Sequence, residues 1–312
     1  MSKFSVSSSP HIRSSARTDR IMLDVVIALM PAVIMGCVIF GMRALAVVAA
    51  CAASAVIAEF VFNFIIKKEQ TVSDMSALVT GIILGLNLRV DAPIWQCVIG
   101  SVFAIVVVKC LFGGLGCNFA NPAATGRVFL LICFSTSLAG GATPILSRAP
   151  ELVSGATPLT VIENGGELPS VLDMFLGLHG GAIGETCAAA IALGFIYLVV
   201  RRVINFETPL IFVATVFLLS LIVDGSVTAA TYQILSGGLI FAAVFMVTDY
   251  VTTPITRTGK MVFAFGCGLI TFLIRYFGAY PEGVSFAILF MNIVSPYIEK
   301  LTMPRPLGGK KA

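Results

Sequence analysis

The sequence predicts an all-α polytopic membrane protein of about ten transmembrane helices, and three observations carry that reading. Of 312 residues, 58% are hydrophobic and only 12% are charged, whereas soluble domains carry about 25% charged residues. The mean hydropathy is +1.00. Apolar runs also recur along the chain at about the 20-residue length that a membrane-crossing helix needs. A water-soluble fold cannot hide this much apolar surface, because folded proteins of this size still expose much of their area. The chain therefore reads as one membrane unit with no second soluble domain.

The elements follow in order. Residues 1–20 are polar and carry Lys3, Arg13, Arg17 and Arg20. They read as a cytoplasmic anchor and not as a cleaved leader, since the apolar run after them passes straight into another without a small-residue cleavage site. The first membrane half, 21–140, contains apolar runs at 21–40, 44–66, 75–88, 93–112 and 126–140. The second, 183–299, contains runs at 183–200, 209–223, 228–247, 260–277 and 283–299, and 300–312 is a polar tail. The third and seventh runs are short, and short segments are often tilted or broken where the backbone faces protein or a cavity. Pro31, and Gly81 with Gly85, read as packing features, because small residues four apart let helices approach closely.

Orientation follows from the basic residues. With a cytoplasmic N-terminus, the cytoplasmic side holds Lys67, Lys68, Arg201, Arg202, Arg257, Lys260 and Lys300. Lys109 and Arg127 fall at cytoplasmic helix edges, and the outer loops keep Arg43, Arg89, Arg148 and Arg275. This bias obeys the positive-inside rule and places both termini in the cytoplasm. It also accounts for the net charge of +4 without a nucleic-acid partner. The long polar segment 141–182 then lies outside and divides the chain into two five-helix halves. An odd number of spans per half makes the halves inverted, the architecture of urea transporters. The Asn-x-x-x-Pro spacing of Asn118 and Pro122 recurs at Asn292 and Pro296.

The eight cysteines lie mostly inside apolar runs and none forms CxxC. They read as small buried hydrophobes, so neither a disulfide framework nor a protein-bound iron–sulfur cluster is expected. Gly113-Gly114-Leu115-Gly116 lacks the Lys-Ser/Thr of a phosphate loop. His11 and His179 have no metal-spaced partner, and no metal site or catalytic residue is assigned.

Two groups of residues remain. Glu59, Asp74, Lys109, Arg127, Glu185, Asp224, Asp249 and Glu299 lie in or beside apolar runs. Intramembrane charge is costly and marks candidate function, although most of these lie close enough to a helix end to snorkel. Glu59 is the deepest; with Asp249 and Glu299 it forms the set of ion-path candidates. The outer segment holds Ser154-Gly155-Ala156-Thr157-Pro158-Leu159-Thr160. Gly155 and Ala156 leave room for a bulky group near the backbone, and Pro158 biases Thr157 toward an extended conformation that presents its hydroxyl. An ordinary turn, or a helix cap starting at Thr157, is the alternative.

Ser154-Gly155-Ala156-Thr157 resembles the flavinylation motif of the RnfD/NqrB family. Asn118-Phe119-Ala120-Asn121-Pro122-Ala123 is similar to that family's Asn-Pro-Ala segment. Thr248-Asp249 with Pro254 resembles its Thr-Asp…Pro segment. Pro281-Glu282-Gly283-Val284-Ser285-Phe286-Ala287 with Met291-Asn292 resembles its last-span signature. The likeness runs from about residue 15 to residue 300, and is greater to RnfD than to NqrB, whose members carry a longer N-terminal extension. The resemblance implies FMN joined through its phosphate to Thr157, with Ser154, Gly155 and Ala156 beside it. It also implies a non-covalent riboflavin, for which Asn118 and Asn121 are the candidate contacts. Their alternative role is to satisfy broken-helix backbone near Pro122.

By the same resemblance the chain is one member, not catalytic alone, of the Rnf translocase in a bacterial cytoplasmic (inner) membrane. That complex passes electrons between ferredoxin and NAD with coupled Na+ or H+ movement. The implied partners are the other Rnf subunits (A, B, C, E and G), above all the flavoprotein RnfG, together with membrane lipid and a maturing flavin transferase. The competing readings are an NqrB-type subunit of a Na+-translocating NADH:quinone reductase and a urea-transporter-like solute channel.

Overall fold

The computed structural model describes residues 17–135, 169–278 and 282–304. Its helices are α1 (Thr18–Phe40), α2 (Met42–Ile66), α3 (Ser76–Leu86) and α4 (Ile94–Val102), which runs on as a π-helix over Phe103–Cys110. After them come α5 (Pro122–Cys133), α6 (Val171–Leu176), α7 (Ala188–Val200), α8 (Glu207–Asp224) and α9 (Val227–Leu235). The last three are α10 (Leu239–Phe245), α11 (Arg257–Phe277) and α12 (Val284–Thr302). Five of them (α1, α2, α8, α11 and α12) are long and apolar enough to cross a membrane, and α9 and α10 form an apolar pair bent by 58° at their junction. With the shorter apolar helices α3, α4 with its extension, α5 and α7, ten apolar units are present among the described residues. The polytopic all-helical reading holds.

The outside of this bundle is apolar. Ile34 and Val38 on α1, Phe60 and Phe64 on α2 and Ile222 on α8 are all exposed, a surface that water does not tolerate and lipid does. A single residue, Gly41, joins α1 to α2. Its φ of 78° lets the chain reverse, and its N–H donates to Cys37 O at 2.8 Å to close α1.

The expected short spans were the third and seventh. The third, α3, has 11 residues, but the seventh, α8, runs 18. It gains Glu207 and Thr208 before the expected start and Asp224 after the expected end, and Pro209 lies in its first turn, where proline costs no hydrogen bond. The fifth and sixth are the shorter ones, with 12 and 13 residues. Helix α5 also starts earlier than expected. Pro122 occupies its first position and Asn121 caps it, accepting from Ala123 N at 3.0 Å and Ala124 N at 3.1 Å.

Helix α3 lies backbone to backbone on α2. A Cβ at Gly81 would stand 2.6 Å from Ala52 Cα, and one at Gly85 would stand 2.8 Å from Val48 Cα. The packing role read from the small-residue spacing is what the geometry shows. Helix α2 packs on α3 and α4, and α8 packs on α9, α10 and α11. Helices α1 and α7 pack on each other.

Side chains join helix ends that the sequence assigns to the same side. On one side Arg201 Nη2 pairs with Asp24 Oδ2 at 3.2 Å, Arg257 Nε with Glu207 Oε2 at 2.8 Å, and Thr256 with Thr302 at 2.6 Å. On the other, Arg43 Nε donates to Val90 O at 3.0 Å and Tyr232 OH to Pro169 O at 2.9 Å.

Candidate functional site

Ser154, Gly155, Ala156, Thr157 and Thr160 lie outside the described residues. The described chain resumes at Pro169 and is fastened down there. Ser170 caps α6 by accepting from Asp173 N at 3.1 Å, and α6 packs on α7 and α9. Gly177, with φ of 89°, closes α6 so near Ile39 that a Cβ would stand 2.9 Å from its Cδ1. The chain leaving the 141–182 segment is therefore held against the ends of α1, α7 and α9.

Three of the sequence candidates line one narrow cleft with about 90 Å³ of inner space. Asn118, Asn121 and Asp249 line it, together with Thr248, Val79, Ile83 and Phe245. Asn118 Nδ2 donates to Ala120 O at 3.0 Å, and Asn121 Nδ2 donates to Met246 O at 3.4 Å. Asn121 thus fills the structural role, capping α5 and tying it to the end of α10. With its amide turned to satisfy both neighbours, Asn292 accepts from Asn121 N at 3.0 Å and donates to Thr252 O at 3.3 Å. The two asparagine-bearing segments that echo each other in sequence are in contact. Asp249 follows α10 in a turn, accepting from Thr252 Oγ1 at 3.0 Å and from Val251 N at 3.3 Å. An amide nitrogen carries two hydrogens, so Asn118 and Asn121 each keep one beyond these bonds. The cleft combines apolar walls with a few polar side chains, the make-up of small-molecule sites.

Lys109 and Ser76 line the same cleft and connect it to Glu59. Lys109 Nζ lies 2.8 Å from Glu59 Oε1 and 2.5 Å from Ser76 Oγ. Thr71 Oγ1 donates to the same Glu59 oxygen at 2.8 Å, and Asn63 Nδ2 donates to Thr71 Oγ1 at 3.0 Å. Both charged side chains are buried, with 1% and 2% exposure. Lys109, one residue from the end of its helix, is turned into the protein and does not snorkel to its surface. Its stem runs inward from the π-helix, and the pairing makes two intramembrane charges tolerable.

A second buried network surrounds Arg127. The expectation of a cytoplasmic edge is corrected here: because α5 begins at Pro122, Arg127 falls in its second turn, inside the protein. Its Nη1 donates to Asn87 Oδ1 at 2.7 Å, and its Nη2 bonds Glu282 and stands 3.7 Å from Glu185 Oε2. Arg275 likewise does not lie in an outer loop. It ends α11, buried, with Nη1 on Gln233 O at 2.5 Å and Nη2 on Ser236 O at 3.0 Å. These carbonyls belong to the broken end of α9, so Arg275 supplies the partners that the break removes. Gly238 passes this network closely: a Cβ there would stand 2.8 Å from Glu185 Oε2. The sequence marks Arg127 and Glu185 as costly charges but cannot pair residues so far apart in the chain. Glu299 is half-buried in the last turn of α12 and does not line the cleft.

The model of the NQR2, RnfD, RnfE family matches residues 5–308 of this chain. The D subunit of the Na(+)-translocating ferredoxin:NAD(+) oxidoreductase complex of Acetobacterium woodii is 44% identical over 98% of this chain and 96% of that protein. The D subunit of the proton-translocating ferredoxin:NAD(+) oxidoreductase complex of Clostridium ljungdahlii is 36% identical over 99% of this chain and 97% of its own. The D subunit of the ion-translocating oxidoreductase complex of Stutzerimonas stutzeri is 38% identical over 95% of this chain and 93% of its own. With likeness along its whole length and an all-helical membrane architecture, this chain belongs to the NQR2, RnfD, RnfE family.

Proposed function

We propose that the chain is the D-type membrane subunit of an ion-translocating ferredoxin:NAD oxidoreductase, and that it carries FMN on Thr157. The observation that carries this reading is the end-to-end similarity to D-type relatives of almost equal length. An NqrB-type subunit and a solute channel are the readings it displaces. Bound FMN and riboflavin supply single-electron relay. The other tasks fall to residues of this chain.

Thr157 offers the hydroxyl oxygen that displaces AMP from FAD in a transferase-catalysed step, forming a phosphoester while the hydroxyl proton leaves. Gly155 and Ala156 keep the approach open. Asn118 and Asn121, with one amide hydrogen each to spare, present donors to the polar edge of a flavin in the cleft, while Val79, Ile83 and Phe245 exclude water from its faces. Glu59, Asp249 and Glu299 are the carboxylates of the cation path, and the cation itself differs between the names of the two ferredoxin-linked relatives.

The membrane is the bacterial inner membrane, with both termini cytoplasmic. The grouping of basic helix ends on one side, with Arg201 and Arg257 paired there, supports this orientation. The other members of the complex, with the flavoprotein RnfG as the redox neighbour, and a flavin transferase are the partners.

The intact mass of the purified chain, co-expressed with a transferase, tests the reading. The expected result is an increase equal to one FMN less water, abolished in Thr157→Ala. A wild-type chain with no adduct under those conditions overturns the redox reading in favour of the channel.

A further inference from the structure

We propose that Lys109 is the resident occupant of a monovalent-cation site, its ammonium holding the place beside Glu59 that a translocated cation takes when the lysine swings into the cleft. The inference rests on the reading that this subunit takes part in cation movement.

The two groups in contact with Lys109 Nζ are oxygens of the kind an alkali cation takes. The Glu59 carboxylate and the Ser76 hydroxyl contact the ammonium at 2.8 and 2.5 Å, and hard oxygen donors of this kind suit hard cations. Each donor is held from behind. Thr71 Oγ1 bonds Glu59 Oε1 at 2.8 Å, and Asp74 Oδ1 accepts from Ser76 N at 2.8 Å and from Ser76 Oγ at 2.5 Å. The ammonium stands in for the ion.

The ammonium is a compact point charge and meets one carboxylate oxygen of Glu59. Glu59 Oε2 is buried without a hydrogen-bond partner, a costly state for an anionic oxygen in an apolar surround. A small cation bound by both oxygens would relieve that cost.

The displaced group has a wall of the cleft to turn toward. Lys109 and Ser76 line the cleft, and Asp249 lines it too and offers a carboxylate there. Lysine has a flexible four-carbon stem and a compact charge suited to such movement, which the planar fork of arginine is not. The stem springs from the π-helix Phe103–Cys110, and widened turns of that kind frequently occur at functional sites.

The tethered ammonium then sets the apparent affinity for the free ion, because binding is reduced by the fraction of molecules in which Lys109 occupies the site. Removing it unmasks the site. In the purified full-length chain, Lys109→Gln should bind Na+ on the order of tenfold more tightly than wild type, read by radioactive sodium retention. The same variant should melt at a higher temperature in NaCl than in choline chloride, and Glu59→Gln/Lys109→Gln should lose both effects. Sodium dependence absent from Lys109→Gln, or unchanged in the double variant, overturns the proposal.

If Lys109→Gln is not recovered folded, amine acylation of wild-type Lys109, followed by peptide mass spectrometry, decides. Labelling should rise in NaCl over choline chloride as the ammonium is driven into the cleft, and labelling indifferent to sodium overturns the proposal. The Thr157 adduct is measured by intact mass in the same samples. A chain with the adduct and no sodium response retains the redox reading and loses only this site.

Discussion

Arg127 Nη1 donates to Asn87 Oδ1 across 2.7 Å, tying the second turn of α5 to the residue that ends α3. The same guanidinium meets the carboxylates of Glu282 and Glu185. Three chain segments that stop inside the protein are thus pinned to one charge. Arg127→Met leaves the buried carboxylate of Glu185 and the partly buried one of Glu282 without their shared partner, which is expected to cost about 3–5 kcal/mol. A large fall in the thermal midpoint in detergent measures it. Arg127→Lys should fall less, since it keeps the charge and loses the fork.

The close approach of α3 to α2 sets a second test. In Gly81→Val the new side chain meets the α2 backbone at Ala52 Cα, 2.6 Å from the Cβ position, and backbone cannot turn aside as a flexible side chain can. Overpacking of this kind costs about 1–3 kcal/mol or more. Gly81→Val should therefore elute as aggregate or melt early. A variant as stable as wild type would refute the backbone contact.

Glu59→Gln removes the charge facing Lys109 and leaves a buried ammonium, so it should lower both stability and cation transport of the assembled complex. Glu59→Gln/Lys109→Met removes both charges and should recover stability, because replacing a whole buried pair is often neutral. Transport should stay impaired while Thr157 remains flavinylated. Sodium or proton uptake into vesicles at the wild-type rate in the double variant would take Glu59 off the ion path.

At the flavin segment the hydroxyls separate cleanly. Thr157→Ala should insert in the membrane, lose in-gel flavin fluorescence and lose the FMN mass, while Thr160→Ala and Ser154→Ala keep the adduct. Thr157→Ser retains an oxygen nucleophile and should keep part of it. An adduct that persists in Thr157→Ala moves the attachment to Thr160 or Ser154.

Reporter fusions check the orientation. A fusion after residue 165 should be active as a periplasmic reporter, and one at residue 312 as a cytoplasmic reporter. Cytoplasmic activity at residue 165 would invert the topology.

Hydropathy and composition by themselves determined the class of this protein, its ten apolar units and the packing role of Gly81 and Gly85, because burial in lipid and close helix contact are local demands written into consecutive residues. The short motifs carried the family likeness for the same reason. Residues such as Glu59 and Lys109, or Arg127, Asn87 and Glu282, are silent in that respect. A buried charge announces its cost at its own position, but the partner that repays it is chosen by how distant helices pack. Only the tertiary structure decided that Lys109 and Arg127 face inward, that Arg275 heals the broken end of α9, and that Asn121 spends its side chain on the start of α5. The physical reason is that in a low-dielectric interior each unpaired group must find a neighbour in space, and the order of residues along the chain does not name that neighbour.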